Sequence, residues 1–405
     1  MPCAVAPICL GSVSCDSKEV HVVTGANRGV GFGCAKALLN QGCTVLLLCR
    51  DLELGEAAQR QLRTVTGSDR TELHCVDLGD LRSVAGFCEA FQKRDYRPIA
   101  SLVLNAGTIS EGAVAVNHVG HFALTIGLLG RLVAGRATVV SVASTAHWMA
   151  APSRLLATVE RTGAPGAQPR SSGWEEYCDS KLANVLFVQA LQRRVGKRGV
   201  RAVAYHPGVL LTDLWRGPGD QATEATLRRI ARVACSCAVK HPLVSGAGAA
   251  ALANPRSEQC CCCTPAFLTP REHMRGCCAA LLCGDGGGYY QQCCCCTLLP
   301  VRPRPDALGT ALQDRLWRAT AVRVAAEAPE LAMMQRHTDD AVAVAVAVAA
   351  RTARTIEIGL GSESDEAAGI NGSPLAPALT CTPACWCTEA CSAAPTLCFC
   401  LSCVC

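Results

Sequence analysis

Short apolar runs alternate with amphipathic stretches along the chain from Glu19 to about Tyr205. Alternation of this kind predicts βαβ units that build a parallel sheet with helices on its faces. The runs are rich in Leu and β-branched residues and carry few polar positions, which is typical of strands buried on both faces. The predicted strands are Glu19–Thr24, Thr44–Cys49, Thr71–Val76, Ala100–Leu104, Thr138–Val142 and Val200–Tyr205.

The stretches between these strands carry apolar residues at three- and four-residue spacing, which predicts helices. In the last of them Leu182, Val185 and Leu186 fall on one face. Gly42 and Pro98 follow two of the stretches and are typical of helix ends. The predicted helices are Gly31–Asn40, Leu54–Val65, Leu81–Lys93, Val119–Leu132 and Trp174–Arg194. We therefore expect an α/β fold with a doubly wound parallel sheet in a single domain.

The regular pattern loosens after Thr212. An amphipathic helix predicted over Ala222–Val239 resembles a flap over a substrate, a further helix is predicted over Gly246–Ala253, and residues 286–290 predict the turn into a last strand. The predicted organisation is an N-terminal extension (1–17), a domain (18–328) interrupted by a Cys-rich insertion (255–283), and a low-complexity Ala/Val- and Cys-rich tail (329–405) that we expect to be disordered.

Composition and charge narrow the class of protein. Half of the 405 residues are apolar, which is enough to bury a core and excludes a chain that is disordered as a whole. The net charge of +5 is small and dispersed, so nothing in it favours nucleic acid as a partner. Since no window holds the roughly 18 apolar residues of a spanning helix, and residues 1–17 lack the pattern of a secretory signal, we expect a cytoplasmic protein without a transmembrane segment.

The thirty cysteines divide the chain, because nine lie between Cys3 and Cys178 and twenty-one between Cys235 and Cys405. The early ones, Cys34, Cys43, Cys49 and Cys75 among them, lie in apolar patterns and are predicted to be reduced core thiols. The later ones form runs at 260–263, 293–296 and 381–405. Three interpretations stay open: a thiolate metal cluster or a lipidated tail for residues 381–405, and translated nucleotide repeats for all of the runs. Their spacing is irregular, and no metal site is predicted.

A glycine-rich turn joins the first strand to the first helix, with the sequence Thr24-Gly25-Ala26-Asn27-Arg28-Gly29-Val30-Gly31. Its three glycines permit a tight turn and close approach of the backbone to a pyrophosphate, and the helix N-terminus supplies free N–H groups. A purely structural turn is the alternative. The strand before it and the helix after it are the context that a dinucleotide site requires.

The end of the second strand indicates which dinucleotide the turn would bind. Arg50 stands where an acidic residue would hold the ribose 2′-hydroxyl of NAD, and a cation there suits the 2′-phosphate of NADP. Arg28 adds a second guanidinium nearby, a group well shaped for phosphate. The sequence therefore favours NADP(H). The alternative is that Arg50 is a solvated strand end paired with Asp51.

A candidate acid/base lies in the last predicted helix, in the motif Tyr177-Cys178-Asp179-Ser180-Lys181. Four-residue spacing places Tyr177 and Lys181 on one helix face about one turn apart. We expect the ammonium to lower the phenol pKa toward the working pH, as a general acid/base requires. An exposed helix pair without catalytic role is the alternative for the pair taken alone.

Five motifs together resemble the short-chain dehydrogenase/reductase family in order and spacing: the glycine turn, Asn105-Ala106-Gly107, Ser144, the Tyr177–Lys181 pair and Pro207-Gly208. This resemblance implies a Rossmann-type fold. Within the family, residues 49–51, 116–122 and 177–187 look like the retinol dehydrogenase branch, which acts on lipophilic carbonyls. The resemblance covers about residues 18–254 and, more loosely, 284–320.

The resemblance implies an NADP(H)-dependent oxidoreductase that interconverts a lipophilic alcohol and its aldehyde or ketone by hydride transfer. It makes Tyr177 the general acid/base, and Lys181 the group that lowers its pKa and holds the nicotinamide ribose. Ser144 would bind the substrate oxygen, and Asn117 would position Lys181 through a water. The implied cofactor-binding residues are Gly25, Asn27, Arg28, Gly29, Val30, Gly31, Arg50, Asp77, Leu78, Asn105, Ala106, Gly107, Tyr177, Lys181, Pro207, Gly208 and Thr212.

The chain departs from the family pattern in the cleft and in its C-terminal half. Only twelve positions separate Asn105 from Asn117, fewer than is typical of the family, so a surface segment at the cofactor cleft is missing. The insertion at 255–283 and the tail have no counterpart. The alternative function is thus a catalytically impaired cofactor-binding scaffold with a metal-binding or lipidated Cys-rich tail. For the enzyme, the expected partners are a small lipophilic substrate and a second copy in a homodimer.

Four histidines complete the candidates, and none has a carboxylate or cysteine partner at metal-ligand spacing. We expect them to be structural or pocket-lining. They are His118, His121, His147 and His206.

Overall fold

The computed structural model describes residues 19–94, 98–160, 171–210, 239–240, 242–254, 287–292 and 298–334. The chain divides into two compact units, Met1–Ala353 and Arg354–Cys405, and all the described residues lie in the first. The predicted Cys-rich insertion, Thr212, most of the predicted flap and the tail beyond residue 334 lie outside the described residues.

Eight of the described strands form one sheet in the order β3-β2-β1-β4-β5-β6-β9-β10. Neighbours from β3 to β9 are parallel, and β10 pairs antiparallel to β9 at the edge. The strands of this sheet are β1 Val20–Thr24, β2 Thr44–Cys49, β3 Thr71–Cys75, β4 Ile99–Leu104, β5 Thr138–Val142, β6 Arg201–His206, β9 Tyr289–Gln292 and β10 Leu298–Val301. The short β7 (Val209–Leu210) and β8 (Val239–Lys240) pair separately.

Helices cover both faces of this sheet, which confirms the predicted doubly wound fold. One apolar cluster packs the helices around Phe122, Phe187 and Trp317 against one face, and a second packs the helix around Leu38 against the other. The helices are α1 Gly29–Asn40, α2 Leu52–Thr66, α3 Leu81–Lys93, α4 His121–Gly127, α5 Leu129–Ala134, α6 Pro152–Glu160, α7 Gly173–Val195, α8 Pro242–Ala253, α9 Thr310–Glu327 and α10 Pro329–Met334. None of the helices in the described ranges is long and apolar enough to cross a membrane.

The strand order places a ligand crevice beside the glycine turn. Strand β1 lies between β2 and β4, so the chain runs from β1 through β2 to β3 on one side and continues from β4 through β5 to β6 on the other. In open α/β sheets the crevice at such a switch point, outside the carboxyl ends of the strands, is where ligands bind. The turn after β1 and the residues after β4 both open into this crevice.

Several elements differ from the sequence predictions. Helices α6 and α9 and the short strands β7 and β8 were not predicted, and α8 begins four residues before the helix predicted over Gly246–Ala253. The helix predicted over Val119–Leu132 is divided into a π-helical turn (Ala115–Gly120), α4 and α5. Two glycines in this segment pack where a side chain has no room, since a Cβ at Gly120 would meet the carbonyl of Leu78 and one at Gly127 would meet Cys88. Strand β10 was not predicted. Helix α10 continues six residues past the domain boundary predicted at 328 and buries Leu331.

The early cysteines follow the prediction only in part. Cys34 and Cys49 are buried free thiols, as expected. Cys75 is free but exposed, because it is the last residue of edge strand β3. Cys43 is disulfide-bonded, so its predicted reduced state is wrong.

Candidate active site

The glycine turn after β1 is shaped by close backbone contact. Gly25 has φ +61°, in the left-handed region that favours glycine. A Cβ added at Gly31 would meet the carbonyl oxygen of Gly25, and would lie 2.5 Å from Nδ2 of Asn105. The first turn of α1 is therefore pressed onto the strand end, where only glycine fits.

The N-terminus of α1 lacks the side-chain cap that α2 and α7 have. Asp51 caps α2 by accepting a hydrogen bond from the N–H of Leu54 (2.9 Å), and Ser172 and Glu175 form a capping box at α7. Arg28 at the start of α1 makes no side-chain cap, and the first turn of α1 holds no acidic residue. The first N–H groups of α1 and its positive dipole end are thus left for an anionic ligand.

Thr24 ties the glycine turn to the residues after β4. Its hydroxyl accepts hydrogen bonds from the backbone N–H of Asn105 (2.9 Å) and Ala106 (3.0 Å). The amide of Asn105 donates to the carbonyl of Thr24 at 2.9 Å and to that of Gly25 at 3.2 Å. These four hydrogen bonds hold the end of β1 against the end of β4. Both ends carry residues that were predicted to contact the cofactor.

His121 joins the same network from α4. Its Nδ1 lies 3.0 Å from the carbonyl of Asn117, and its Nε2 lies 2.9 Å from the hydroxyl of Thr24. Since a carbonyl can only accept, Nδ1 carries the proton and Nε2 accepts from Thr24. Burial lowers the pKa of His121 to about 4, which keeps the ring neutral and this arrangement intact.

Asn117 lies in the π-helical turn and is fully buried. Its Oδ1 accepts from the N–H of Thr108 (2.8 Å), and its Nδ2 donates to the carbonyl of Thr108 (3.0 Å) and to the hydroxyl of Ser180 (2.9 Å). Ser180 is the neighbour of Lys181. The structure thus brings Asn117 to α7 despite the shortened cleft segment.

A buried carboxylate anchors that shortened segment. Glu176 accepts a hydrogen bond from the backbone N–H of Gly112 at 2.8 Å and another from the hydroxyl of Ser171 at 3.4 Å. Glu176 directly precedes Tyr177 in α7. The loop after β4 is therefore attached to the same helical turn that carries the candidate acid/base.

Tyr177 and Lys181 lie together on the buried side of α7. The Nζ of Lys181 donates to the carbonyl of Val142 at 2.9 Å and lies 5.3 Å from the centroid of the Tyr177 ring. Asn184 donates to the same carbonyl at 3.2 Å. Because Val142 ends β5, the ammonium is fixed at the carboxyl edge of the sheet, below the phenol.

The protonation of this pair differs from the sequence expectation. Burial raises the pKa of Tyr177 to about 12, although a hydrogen bond with Ser144 opposes the rise. Burial also lowers the pKa of Lys181 to about 8. The expected lowering of the phenol pKa by the ammonium is not found in the protein alone, because burial of the phenol is the largest influence on its pKa and raises it.

Ser144 follows β5 and begins a 3₁₀ turn, Thr145–Met149. Its hydroxyl accepts from the N–H of Ala146 (3.2 Å) and also bonds to the Tyr177 side chain. Its carbonyl lies 2.7 Å from Nδ1 of His147. The structure therefore brings the predicted serine and tyrosine hydroxyls together.

Arg50 is exposed at the end of β2. The carboxylate of Asp51 caps α2, so it is used elsewhere, and the guanidinium of Arg50 makes no ion pair with any described residue. Asp77, after β3, is half-buried, and its Oδ1 accepts from the N–H of Gly79 at 2.8 Å. The arrangement leaves Arg50 available for an anion at the crevice.

Thr212 lies outside the described residues, and the remaining predicted cofactor residues follow the carboxyl ends of β1, β3, β4 and β6. Leu78 is buried, and Gly107 lies against Asn117 so closely that a Cβ there would be 3.2 Å from its Oδ1. The carbonyl of Pro207 accepts from the hydroxyl of Ser245 at 2.8 Å, which ties the end of β6 to α8. The others are placed in the glycine turn, where Asn27 is half-buried and Val30 buried, and after β6, where Gly208 has φ +89°.

Two aromatic residues near Tyr177 escaped the sequence analysis. Trp174 stacks on the Tyr177 ring with centroids 5.5 Å apart and is 37% exposed. Tyr289 in β9 packs its ring against His147 at 5.2 Å and interacts electrostatically with Tyr177. Trp174 was detectable because it lies one helical turn before Tyr177. Tyr289 lies 112 residues away, and only the register of β9 beside β6 brings it near.

Comparison with known proteins agrees with this geometry. The sequence pattern of the family described as short chain dehydrogenase matches residues 19–155. The chain belongs to the short-chain dehydrogenase/reductase family. It is 37% identical over 221 residues to human retinol dehydrogenase 12, an alignment that covers 52% of this chain and 66% of that protein. It is 35% identical over 220 residues to human retinol dehydrogenase 11, with the same two coverages.

A third relative and a solved structure are also similar to this short-chain dehydrogenase/reductase. Bovine dehydrogenase/reductase SDR family member 13 is 38% identical over 223 residues, which are 52% of this chain and 56% of that protein. The chain thus spans about two thirds or less of the length of these relatives. The crystal structure of an uncharacterised protein from Mycobacterium paratuberculosis matches with a TM-score of 0.52 and 27% identity, over 78% of this chain and 95% of that one. The predicted family and its retinol dehydrogenase-like branch are confirmed.

Proposed function

We propose that this chain is an NADP(H)-dependent oxidoreductase that interconverts a lipophilic alcohol and its aldehyde or ketone, with Tyr177 as general acid/base. One observation carries the proposal: the phenol of Tyr177, the hydroxyl of Ser144 and the ammonium of Lys181 meet at the carboxyl edge of the sheet. The same edge carries the uncapped glycine turn. The short segment between Asn105 and Asn117, on which the alternative of an impaired scaffold rests, still brings the Asn117 side chain to Ser180 of α7.

The residues present fit a dinucleotide. A side chain at Gly31 would fill the space between the glycine turn and Asn105, and the start of α1 offers unpaired N–H groups to a pyrophosphate. Arg50 and Arg28 would hold the 2′-phosphate, and Asp77 would contact the adenine. When bound, the nicotinamide supplies or accepts the hydride.

Two hydroxyls would handle the substrate oxygen. Because the pKa of Tyr177 is raised to about 12, its phenol is protonated at neutral pH and can donate to a carbonyl oxygen. Ser144 would donate a second hydrogen bond to the same oxygen as negative charge develops on it. In this protonated form the phenol would act as the general acid in carbonyl reduction, and in alcohol oxidation the same oxygen would act as the base.

Lys181 would act through charge and position. It is buried, and its bond to the carbonyl of Val142 holds it one helical turn from Tyr177. From there it would contact the nicotinamide ribose. Asn117 would support it from the neighbouring turn, since its amide donates to Ser180.

Exposed apolar side chains in the turn after Ser144, and a tryptophan stacked on Tyr177, support a lipophilic substrate. Trp148 and Met149, in the turn that begins at Ser144, are 53% and 58% exposed, and Trp174 covers the Tyr177 ring. Exposed aromatic and Met side chains of this kind recognise apolar ligands. The names of the retinol dehydrogenase relatives point to the same class of substrate.

The test of this function is consumption of NADPH by the full chain in the presence of retinoid, steroid and straight-chain carbonyls. We expect kcat/KM to rise with the apolar size of the carbonyl, because each buried CH₂ contributes about 0.8 kcal/mol of binding. Absorbance at the NADPH band gives the rate. If no carbonyl is reduced with either nicotinamide cofactor, the proposed activity is wrong.

The cofactor choice has its own test at Arg50. We expect Arg50→Glu to weaken NADPH binding by about 10- to 100-fold, because a charge-assisted hydrogen bond contributes about 1.5–3 kcal/mol. NADH binding should change little. Fluorescence titration measures both affinities, and Arg60→Glu, an exposed charge reversal further along α2, is the control. Equal loss in both variants, or an unchanged NADPH affinity in Arg50→Glu, would contradict the assignment.

A further inference from the structure

The segment that carries Ser144 is held from outside by one arginine. Arg304 lies between β10 and α9, and its Nη1 donates to the carbonyls of Ala150 (2.7 Å), His147 (3.1 Å) and Trp148 (3.4 Å). All three carbonyls belong to the turn after Ser144 or its end. One guanidinium nitrogen thus donates hydrogen bonds to three backbone carbonyls of this turn.

His147 carries the contact from Arg304 to Ser144. Its Nδ1 lies 2.7 Å from the carbonyl of Ser144, which can only accept, so Nδ1 bears the proton. Its Nε2 is then an acceptor and takes the backbone N–H of Arg304 at 3.4 Å. Burial lowers the pKa of His147, which keeps the ring in this neutral form. The ring is fully buried and fixed between the two backbones.

The far end of the same segment is fixed to α7. The carboxylate of Asp179 accepts from the N–H of Ala151 at 2.8 Å and from Nε and Nη2 of Arg154 at 2.6 and 2.9 Å. Asp179 lies two residues after Tyr177. The turn from Ser144 to Ala151 is therefore fastened to the tyrosine helix at one end, and its middle is fastened by Arg304.

We propose that Arg304 is a positioning residue, which fixes the Ser144 hydroxyl against Tyr177 by holding the 144–150 turn through three carbonyls and His147. The proposal rests on the proposed function of Ser144. Arg304 lies outside the 19–155 match and after the Cys-rich insertion. The C-terminal part of the domain thus completes a site whose reactive groups all precede it.

Backbone hydrogen exchange tests the clamp without any activity. In Arg304→Gln, peptides that cover residues 144–151 should exchange at least several-fold faster, because the carbonyl bonds that hold the turn are lost. Peptides from the glycine turn should be unchanged. Arg302→Gln, a neighbouring exposed arginine, is the matched control and should alter neither region. Unchanged exchange at 144–151 in Arg304→Gln would overturn the clamp.

Turnover tests the link to Ser144. We expect Arg304→Gln to lower kcat by about 10- to 100-fold, as small misplacements of a reacting group do, with NADPH affinity within about twofold of wild type. Arg304→Lys should recover part of the rate, since an ammonium can still donate to one or two carbonyls. In a Ser144→Ala background, Arg304→Gln should lower kcat little further, because both changes remove the same interaction, that of the Ser144 hydroxyl with the substrate oxygen.

The two experiments separate failure of the clamp from failure of the proposed function. A lower melting temperature with unchanged kcat in Arg304→Gln, or full additivity with Ser144→Ala, would show a merely structural role and overturn the proposal. If wild type reduces no carbonyl, the proposed function fails, and the positioning role, which rests on it, fails with it. Faster exchange at 144–151 would then still establish the contact as a structural clamp alone.

Discussion

Tyr177→Phe should reduce carbonyl turnover by about 10²- to 10⁴-fold, the range that a positioned general acid contributes. The phenylalanine ring keeps the stacking on Trp174 and the packing on Lys181, while the proton that the substrate oxygen must receive is lost. The effect should fall on kcat. Affinity for NADPH, measured by fluorescence titration, should remain within about twofold, since the turn that would hold the phosphates is untouched.

Tyr290→Phe is the matched control for that change. Tyr290 is equally buried, lies in β9 and packs in the apolar cluster that contains Leu38, away from Tyr177. Removal of its hydroxyl should leave turnover unchanged. Full activity of Tyr177→Phe with a carbonyl that wild type reduces would refute the role of Tyr177, and an equal loss in both variants would show that general packing, not proton donation, was disturbed.

The sequence predicted the sheet well because each strand is a local apolar run. The bounds of β2 and β5 are the predicted ones, those of β1, β3 and β4 differ by one residue at one end, and β6 is shifted by one residue. The division into the π-helical turn, α4 and α5 was not predicted, since the apolar spacing continues through Val119–Leu132 without a local signal that marks it. Edge strand β10 depends on a partner in space, β9.

The candidate site was predictable in its residues but not in its electrostatics. The motif spacing brought together Ser144, Tyr177 and Lys181, and the structure places them in contact. Spacing along a helix says nothing of burial, and burial is what raises the pKa of Tyr177 and lowers that of Lys181. Arg304 was missed for a related reason, because its partners lie more than 150 residues earlier in the chain.

Gly31→Ala should destabilise the fold and remove cofactor binding together. The added Cβ would meet the carbonyl of Gly25 and the side-chain amide of Asn105, which are held together by the hydrogen bonds that this amide donates to the carbonyls of Thr24 and Gly25. Overpacking of this kind costs about 1–3 kcal/mol of unfolding free energy. Any relief requires α1 to shift from the strand end, which displaces the N–H groups on which a pyrophosphate would rest.

The informative comparison is with Gly86→Ala, the same change in α3. Nothing lies within 4 Å of a Cβ at Gly86, so this alanine should stabilise the protein by about 0.5–1 kcal/mol through its better helix propensity. Urea unfolding should therefore show a lower free energy of unfolding for Gly31→Ala and a higher one for Gly86→Ala. NADPH titration should show binding only in Gly86→Ala. If Gly31→Ala were as stable as Gly86→Ala and bound NADPH normally, the turn would not be the tight cradle on which the cofactor assignment depends. If the two substitutions change the free energy of unfolding in opposite directions, glycine is required at position 31 because of the contact with Gly25 and Asn105. Helix propensity alone would favour alanine at both positions.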